Sequence, residues 1–163
     1  IRRDDLSDPR VHALLREHLE DMRRWSPPES IHALNLDALR AADIRFWTLW
    51  DGEDLLGCGA LRELDAAHGE IKSMRTANAH RRRGVARAML DHLLAQALAL
   101  GYTRLSLETG SMATFEPARA LYARAGFQPC PPFADYCPDP NSVFLTRGLP
   151  AAAGSPEHEP PAQ

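Results

Sequence analysis

Between Glu70 and Glu108 the chain reads as strand, basic glycine loop, long helix and strand. That order constrains the fold more than any other feature. Two neighbouring strands joined through a helix run parallel, and such a crossover is right-handed in nearly all proteins. The first strand is Glu70 to Thr76, "EIKSMRT", entered through Ala67-His68-Gly69. From Arg83 to Leu100, Val85, Met89, Leu93, Ala97 and Leu100 line one face, with Ala86, Leu90 and Leu94 beside them, and Gly101 suits the C-terminal cap. Thr103 to Glu108 alternates in polarity as a strand does.

The flanking segments add antiparallel strands and helices. Ile1 to Arg3 reads as a short strand, and Val11, Leu14, Leu15, His18, Leu19 and Met22 recur at helical spacing within Pro9 to Arg24. Pro27-Pro28 stops that helix, and a short one is expected over Asn35 to Ala41. Ile44 to Trp50 and Leu55 to Leu64 form a hairpin about Asp51-Gly52. Thr114 to Ala125 reads as a helix stopped by Gly126, and Ser142 to Thr146 as a last strand. The expected class is α/β of the α+β kind in a single domain over residues 1–150. A polar, proline-rich tail, "AAAGSPEHEPPAQ", follows over 151–163 and is expected to be flexible.

Composition narrows the function. With 163 residues, of which 44% are hydrophobic and 25% charged, the chain can bury a core. No stretch approaches the roughly 20 apolar residues of a membrane helix, so no membrane partner and a cytoplasmic location are expected. Cys58, Cys130 and Cys137 lack paired spacing with histidines, which argues against a disulfide framework and a metal site; Cys58 reads as core packing. The net charge of −3 argues against general nucleic-acid binding. Basic charge is local instead, at Arg81, Arg82, Arg83 and Arg87. Gly84 allows a tight backbone turn there, and the helix that follows presents unpaired N–H groups and a positive dipole end. Such a loop suits a pyrophosphate.

The chain resembles the GNAT superfamily of N-acetyltransferases. The resemblance rests on Arg81, Gly84 and Ala86, which match the family pattern Arg/Gln-x-x-Gly-x-Gly/Ala after a strand and before a long helix. It rests also on "ALYARAGF", Ala120 to Phe127, similar to the family's Leu-Tyr-x-Lys-x-Gly-Phe segment. The implied fold is a mixed, mostly antiparallel sheet that splays at its fourth and fifth strands, flanked by about four helices. The implied co-substrate is acetyl-coenzyme A, without metal. The resemblance places its pantetheine arm against the backbone of Met74 and Thr76, its pyrophosphate on N–H groups from Arg82 through Gly84, Val85 and Ala86 to Arg87, and Thr109 among the cofactor contacts. Arg124 replaces the family's common Lys and keeps its charge. Phe115 stands where many members carry a cofactor-contacting Asn.

Acetyl transfer requires a neutral amine and a proton for the departing thiolate. By resemblance Tyr122 is the general acid. Glu70 and Glu108, at the ends of two adjacent strands, are the candidate bases, with Glu70 favoured and His68 nearby; an N–H near Met74 suits an oxyanion. The acceptor site implied by the resemblance takes Trp25, Glu29 and His32 from one side and Phe133, Asp135, Tyr136 and Asn141 from the other. These residues suit a small-molecule amine. The alternatives are a protein N-terminal or lysine acetyltransferase and a non-catalytic acyl-coenzyme A sensor. The resemblance also admits a homodimer.

Overall fold

The computed structural model describes residues 1–151. The tail expected over 151–163 therefore lies, except for Ala151, outside the described residues. Helix α1 spans Pro9–Trp25: the Asp8 carboxylate accepts from the Arg10 N–H and proline occupies the first turn, where no backbone donor is needed. It buries Val11, Leu14 and Leu15. Helix α2 is one turn, Leu36–Leu39, shorter than the expected Asn35 to Ala41. Its end tightens, with Arg40 N–H donating to the Asp37 carbonyl and Ala41 N–H to that of Ala38, which closes the helix early.

Among the described residues seven strands form one sheet: β1 Arg2–Arg3, β2 Ile44–Asp51, β3 Asp54–Glu63, β4 His68–Thr76, β5 Arg104–Gly110, β6 Gln128–Pro129 and β7 Ser142–Gly148, in the order β1-β2-β3-β4-β5-β7-β6. Among the described residues only β4 and β5 pair in parallel, as the crossover through helix α3, Val85–Ala99, requires. Helix α4, Glu116–Arg124, follows a 3-10 turn at Ala113–Phe115. Strand β6 is too short for periodicity to announce it. Helix α3 starts two residues later than expected because Gly84 stands in left-handed backbone at φ 79°.

Both faces of the sheet are covered. On one face Met89, Leu90 and Leu93 of α3 and Tyr122 of α4 pack with Leu61, Ile71, Leu105, Leu107 and Leu145. On the other, Val11, Leu14 and Leu15 of α1 pack with Leu39, Phe46, Cys58 and Ala60. Cys58 is fully buried, and burial pushes its thiol up to about 12, in keeping with a packing role.

The feature that makes a site is where β4 and β5 part. Their ladder runs His68↔Arg104, Gly69↔Leu105, Glu70↔Ser106 and goes no further, while β5 pairs with β7 along its whole length. Beside the parting, β4 carries a bulge: Cys58 pairs with Arg75 and Ala60 with Lys72, so Ser73 and Met74 lie opposite Gly59. Ser73 takes φ 51° there. The bulge bends β4 away from β5 and opens the sheet.

Candidate active site

The arginine loop enters α3 through two left-handed residues, Arg82 at φ 61° and Gly84 at φ 79°. Left-handed residues turn successive N–H groups to one side and build an anion-binding concavity. No backbone acceptor meets the N–H groups of Arg81 to Arg87 among the described residues; Ala88 N–H is the first to close on a carbonyl, that of Gly84 at 3.0 Å. A Cβ built at Gly84 meets nothing within 4 Å, so the space over the loop is open. Arg81, Arg82 and Arg83 are exposed around it. Arg83 donates to His80 Nδ1 at 2.7 Å, and Arg87 to Asp91 at 3.0 Å. These residues fit a diphosphate.

Met74 and Thr76 lie in the part of β4 that has lost its β5 partner, where backbone groups are free to pair with an extended ligand. Across the gap, the Tyr122 hydroxyl reaches Met74 Sδ at 3.8 Å. Tyr122 is buried, and its phenol is raised first by burial and then by the charge of Glu108. Glu108, near the end of β5, is lifted up to about 7, mainly by burial and further by the charges of Glu70 and Asp139, with Lys72 opposing. A phenol that keeps its proton and a carboxyl poised near neutrality thus flank one opening.

Glu70 is differently placed. It is only 1% exposed and accepts from the Tyr136 hydroxyl at 2.5 Å, with Lys72 Nζ at 3.5 Å. Lys72 also donates to Tyr136 Oη at 2.9 Å and to the His32 carbonyl at 3.0 Å. The ammonium therefore ties the loop after α1 to the loop before β7. An aromatic cluster roofs this chain: His32 and Phe133 stand near-perpendicular to Tyr136 at 5.0 and 5.1 Å between ring centres, and Phe144 lies at 5.4 Å. Burial and then Lys72 hold His32 below its ordinary range. Lys72→Met would leave the Glu70 carboxylate buried without its counter-charge, which costs about 3–5 kcal/mol and lowers the melting temperature by roughly 10 °C. A thermal melt checks this.

Of the acceptor residues expected from the sequence, His32, Phe133 and Tyr136 come together. Trp25 packs edge-on against Phe115 at 6.0 Å, and Asn141 donates to Ser30 Oγ at 3.3 Å. Glu29 and Asp135 are exposed and join neither contact. Thr109 sits half-buried on β5 beside Val143 of β7, and Arg124 is exposed at the end of α4. His68 bonds Ser106 Oγ through Nε2 at 2.7 Å, at the closed end of the split. Sequence reasoning missed Lys72, although its place two residues after Glu70 on a strand puts both on one face. It also missed Arg75, whose partners come from α1.

Comparison with known proteins agrees with this architecture. The chain is similar to the uncharacterized N-acetyltransferase YsnE of Bacillus subtilis (strain 168), 60% identical over 149 residues that cover 91% of this chain and 99% of that one. Among solved structures it is similar to a putative acyl-CoA N-acyltransferase from Klebsiella pneumoniae, with TM-score 0.71, 27% identity and coverage of 91% and 95% of the two chains. It shares its fold with a GNAT family acetyltransferase from Elizabethkingia anophelis solved with acetyl-CoA bound, at TM-score 0.64, 17% identity and coverage of 91% and 96%. The sequence model of the acetyltransferase (GNAT) family matches residues 11–127, and with these likenesses the chain belongs to that family as an N-acetyltransferase.

Proposed function

We propose that the protein transfers an acetyl group from acetyl-coenzyme A to a primary amine of a small molecule by direct attack, with Tyr122 as acid and Glu108 as base. Bound coenzyme supplies an activated acetyl thioester. The N–H groups from Arg82 to Arg87 and the Arg81, Arg82 and Arg83 side chains hold its diphosphate; the unpaired stretch of β4 with Met74 and Thr76 takes its amide arm. Glu108 removes a proton from the incoming ammonium, the amine nitrogen bonds the acetyl carbon, the carbon–sulfur bond breaks as Tyr122 gives its proton to the departing sulfur, and the second proton that nitrogen loses in becoming an amide restores the phenol. Glu70, with Tyr136 and Lys72 on its carboxylate, shapes the acceptor wall instead of acting as base.

The observation that carries this reading is the gap after the Glu70–Ser106 pair, flanked by the Tyr122 hydroxyl and a Glu108 carboxyl lifted to about 7. Support for a small acceptor comes from Lys72, which ties the His32 and Tyr136 loops together over the sheet. The test is calorimetric titration with acetyl-coenzyme A, followed by a screen of small amines and peptides for thiol release. Release with one small-amine class supports the reading. Release with peptides alone makes the acceptor a protein, and binding without turnover on any amine makes the protein a sensor.

Gly84→Val provides a second check. A β-branched residue is strained at φ 79°, at a cost of about 1–2 kcal/mol, and its side chain would occupy the open space over the loop. Acetyl-coenzyme A affinity is expected to fall roughly tenfold or more, with the fold retained in circular dichroism. Unchanged affinity would remove the cradle from the reading.

A further inference from the structure

Arg75 lies on β4 beside Thr76, and its side chain is 6% exposed. Its Nη2 reaches Asp21 Oδ2 at 2.5 Å and Glu17 Oε1 at 3.0 Å on α1, and Asn78 Oδ1 at 3.2 Å in the turn that leads to the arginine loop. Asp21, 10% exposed, also faces Arg81 Nη2 at 3.9 Å. One carboxylate of α1 therefore holds both the strand that precedes the cradle and the first arginine of the cradle. Charges are taken out of water here at a real desolvation cost, and what such a network supplies in return is geometry.

The same end of α1 touches the other half of the site. Trp25, its last residue, stands edge-on to Phe115 with ring planes at 89°. The Phe115 ring lies so close over Gly110 that a Cβ there would fall 2.2 Å from it. Phe115 directly precedes α4, the helix of Tyr122. Thus the last two to three turns of α1 contact the arginine loop through Asp21 and the root of α4 through Trp25.

We propose that Asp21 and Arg75 are positioning residues for the coenzyme. They hold the segment from Asn78 to Arg81 against α1, so that occupancy of the cradle stiffens α1 and, through Trp25 and Phe115, the start of α4. The proposal rests on the reading of the arginine loop as the coenzyme's cradle. A ligand diphosphate that meets Arg81 where the link from Asp21 and Arg75 places it holds the same segment from its other side, so the cradle and the strand-to-helix link stiffen together. Coupling of this kind works in both directions, so loosening the link weakens coenzyme binding.

The experiment measures acetyl-coenzyme A affinity by calorimetry and hydrogen exchange of residues 17–25 with and without it. Wild type, Asn78→Ala and Asp21→Asn are compared. Asp21→Asn risks the fold by leaving Arg75 short of charge, whereas Asn78 is exposed and its loss removes only the loop-side link. Wild type is expected to gain protection over residues 17–25 on binding. In Asn78→Ala the affinity falls about tenfold and that gain is lost. A purely structural network would lower the melting temperature of the variants and leave both readouts unchanged, and affinities within about twofold of wild type with the gain intact overturn the proposal. Failure of the wild type to bind acetyl-coenzyme A would overturn the cradle reading itself, and this proposal with it.

Discussion

Tyr122→Phe is expected to lower turnover by about 10²-fold or more while acetyl-coenzyme A binds as before. The substitution removes a single oxygen, which contacts Met74 Sδ, and it leaves the ring against Phe127 at 5.8 Å between centres. Neither the core nor the arginine loop has reason to move. Burial and the charge of Glu108 keep the phenol's proton in place at neutral pH, so on the proposed mechanism the hydroxyl serves as a hydrogen-bond donor to the negative charge that develops on the departing sulfur. Calorimetry and thiol release, read together, check this. Turnover within threefold of wild type would assign the acid elsewhere.

Glu108→Gln has the second large effect, and it acts in opposite directions on activity and stability. A base works when deprotonated, so wild-type kcat/KM should rise about tenfold per pH unit below the group's value of about 7 and level above it. The glutamine variant should lose about 10² to 10³ in kcat/KM, and with it that inflection. For stability, the folded carboxyl titrates near 7 against an ordinary 4.5, so the native state favours the protonated form. Its contribution is complete below pH 4.5 and is lost as pH rises through 7, which leaves the wild type carrying a poorly solvated charge at pH 8. Glutamine has no such charge. At pH 8 the variant should be more stable by up to about 3 kcal/mol, and the difference should vanish at low pH. Parallel denaturation curves at pH 5 and pH 8 measure it. An unchanged pH profile would return the base to Glu70 or His68.

Preference for Glu108 over Glu70 shows where sequence reasoning stopped. Both carboxylates lie on adjacent strands, Glu70 near the start of β4 and Glu108 near the end of β5, and both were legible as candidates. Their surroundings separate them: the Glu70 carboxylate receives a tyrosine hydroxyl from 66 positions away, while Glu108 is raised by burial beside the gap. Partners so distant in the chain leave no trace in local spacing. Phe115 is a similar case, since the sequence showed only a departure from a family pattern and the fold makes it the contact between Trp25 and Gly110.

The sequence by itself determined the local elements and their order: apolar periodicities of two and of about 3.6, proline stops and glycine caps mark nearly every strand and helix, and the arginine loop with Tyr122 stands out within them. These features are set by interactions within a few residues, so spacing records them. Tertiary structure alone decided the Lys72–Tyr136–Glu70 chain, the hold of Asp21 on Arg75, the point at which β4 leaves β5 and the titration of Glu108. Each depends on which distant elements pack together and exclude water, because desolvation and charge pairing are properties of the assembled surroundings and not of the segment that carries the residue.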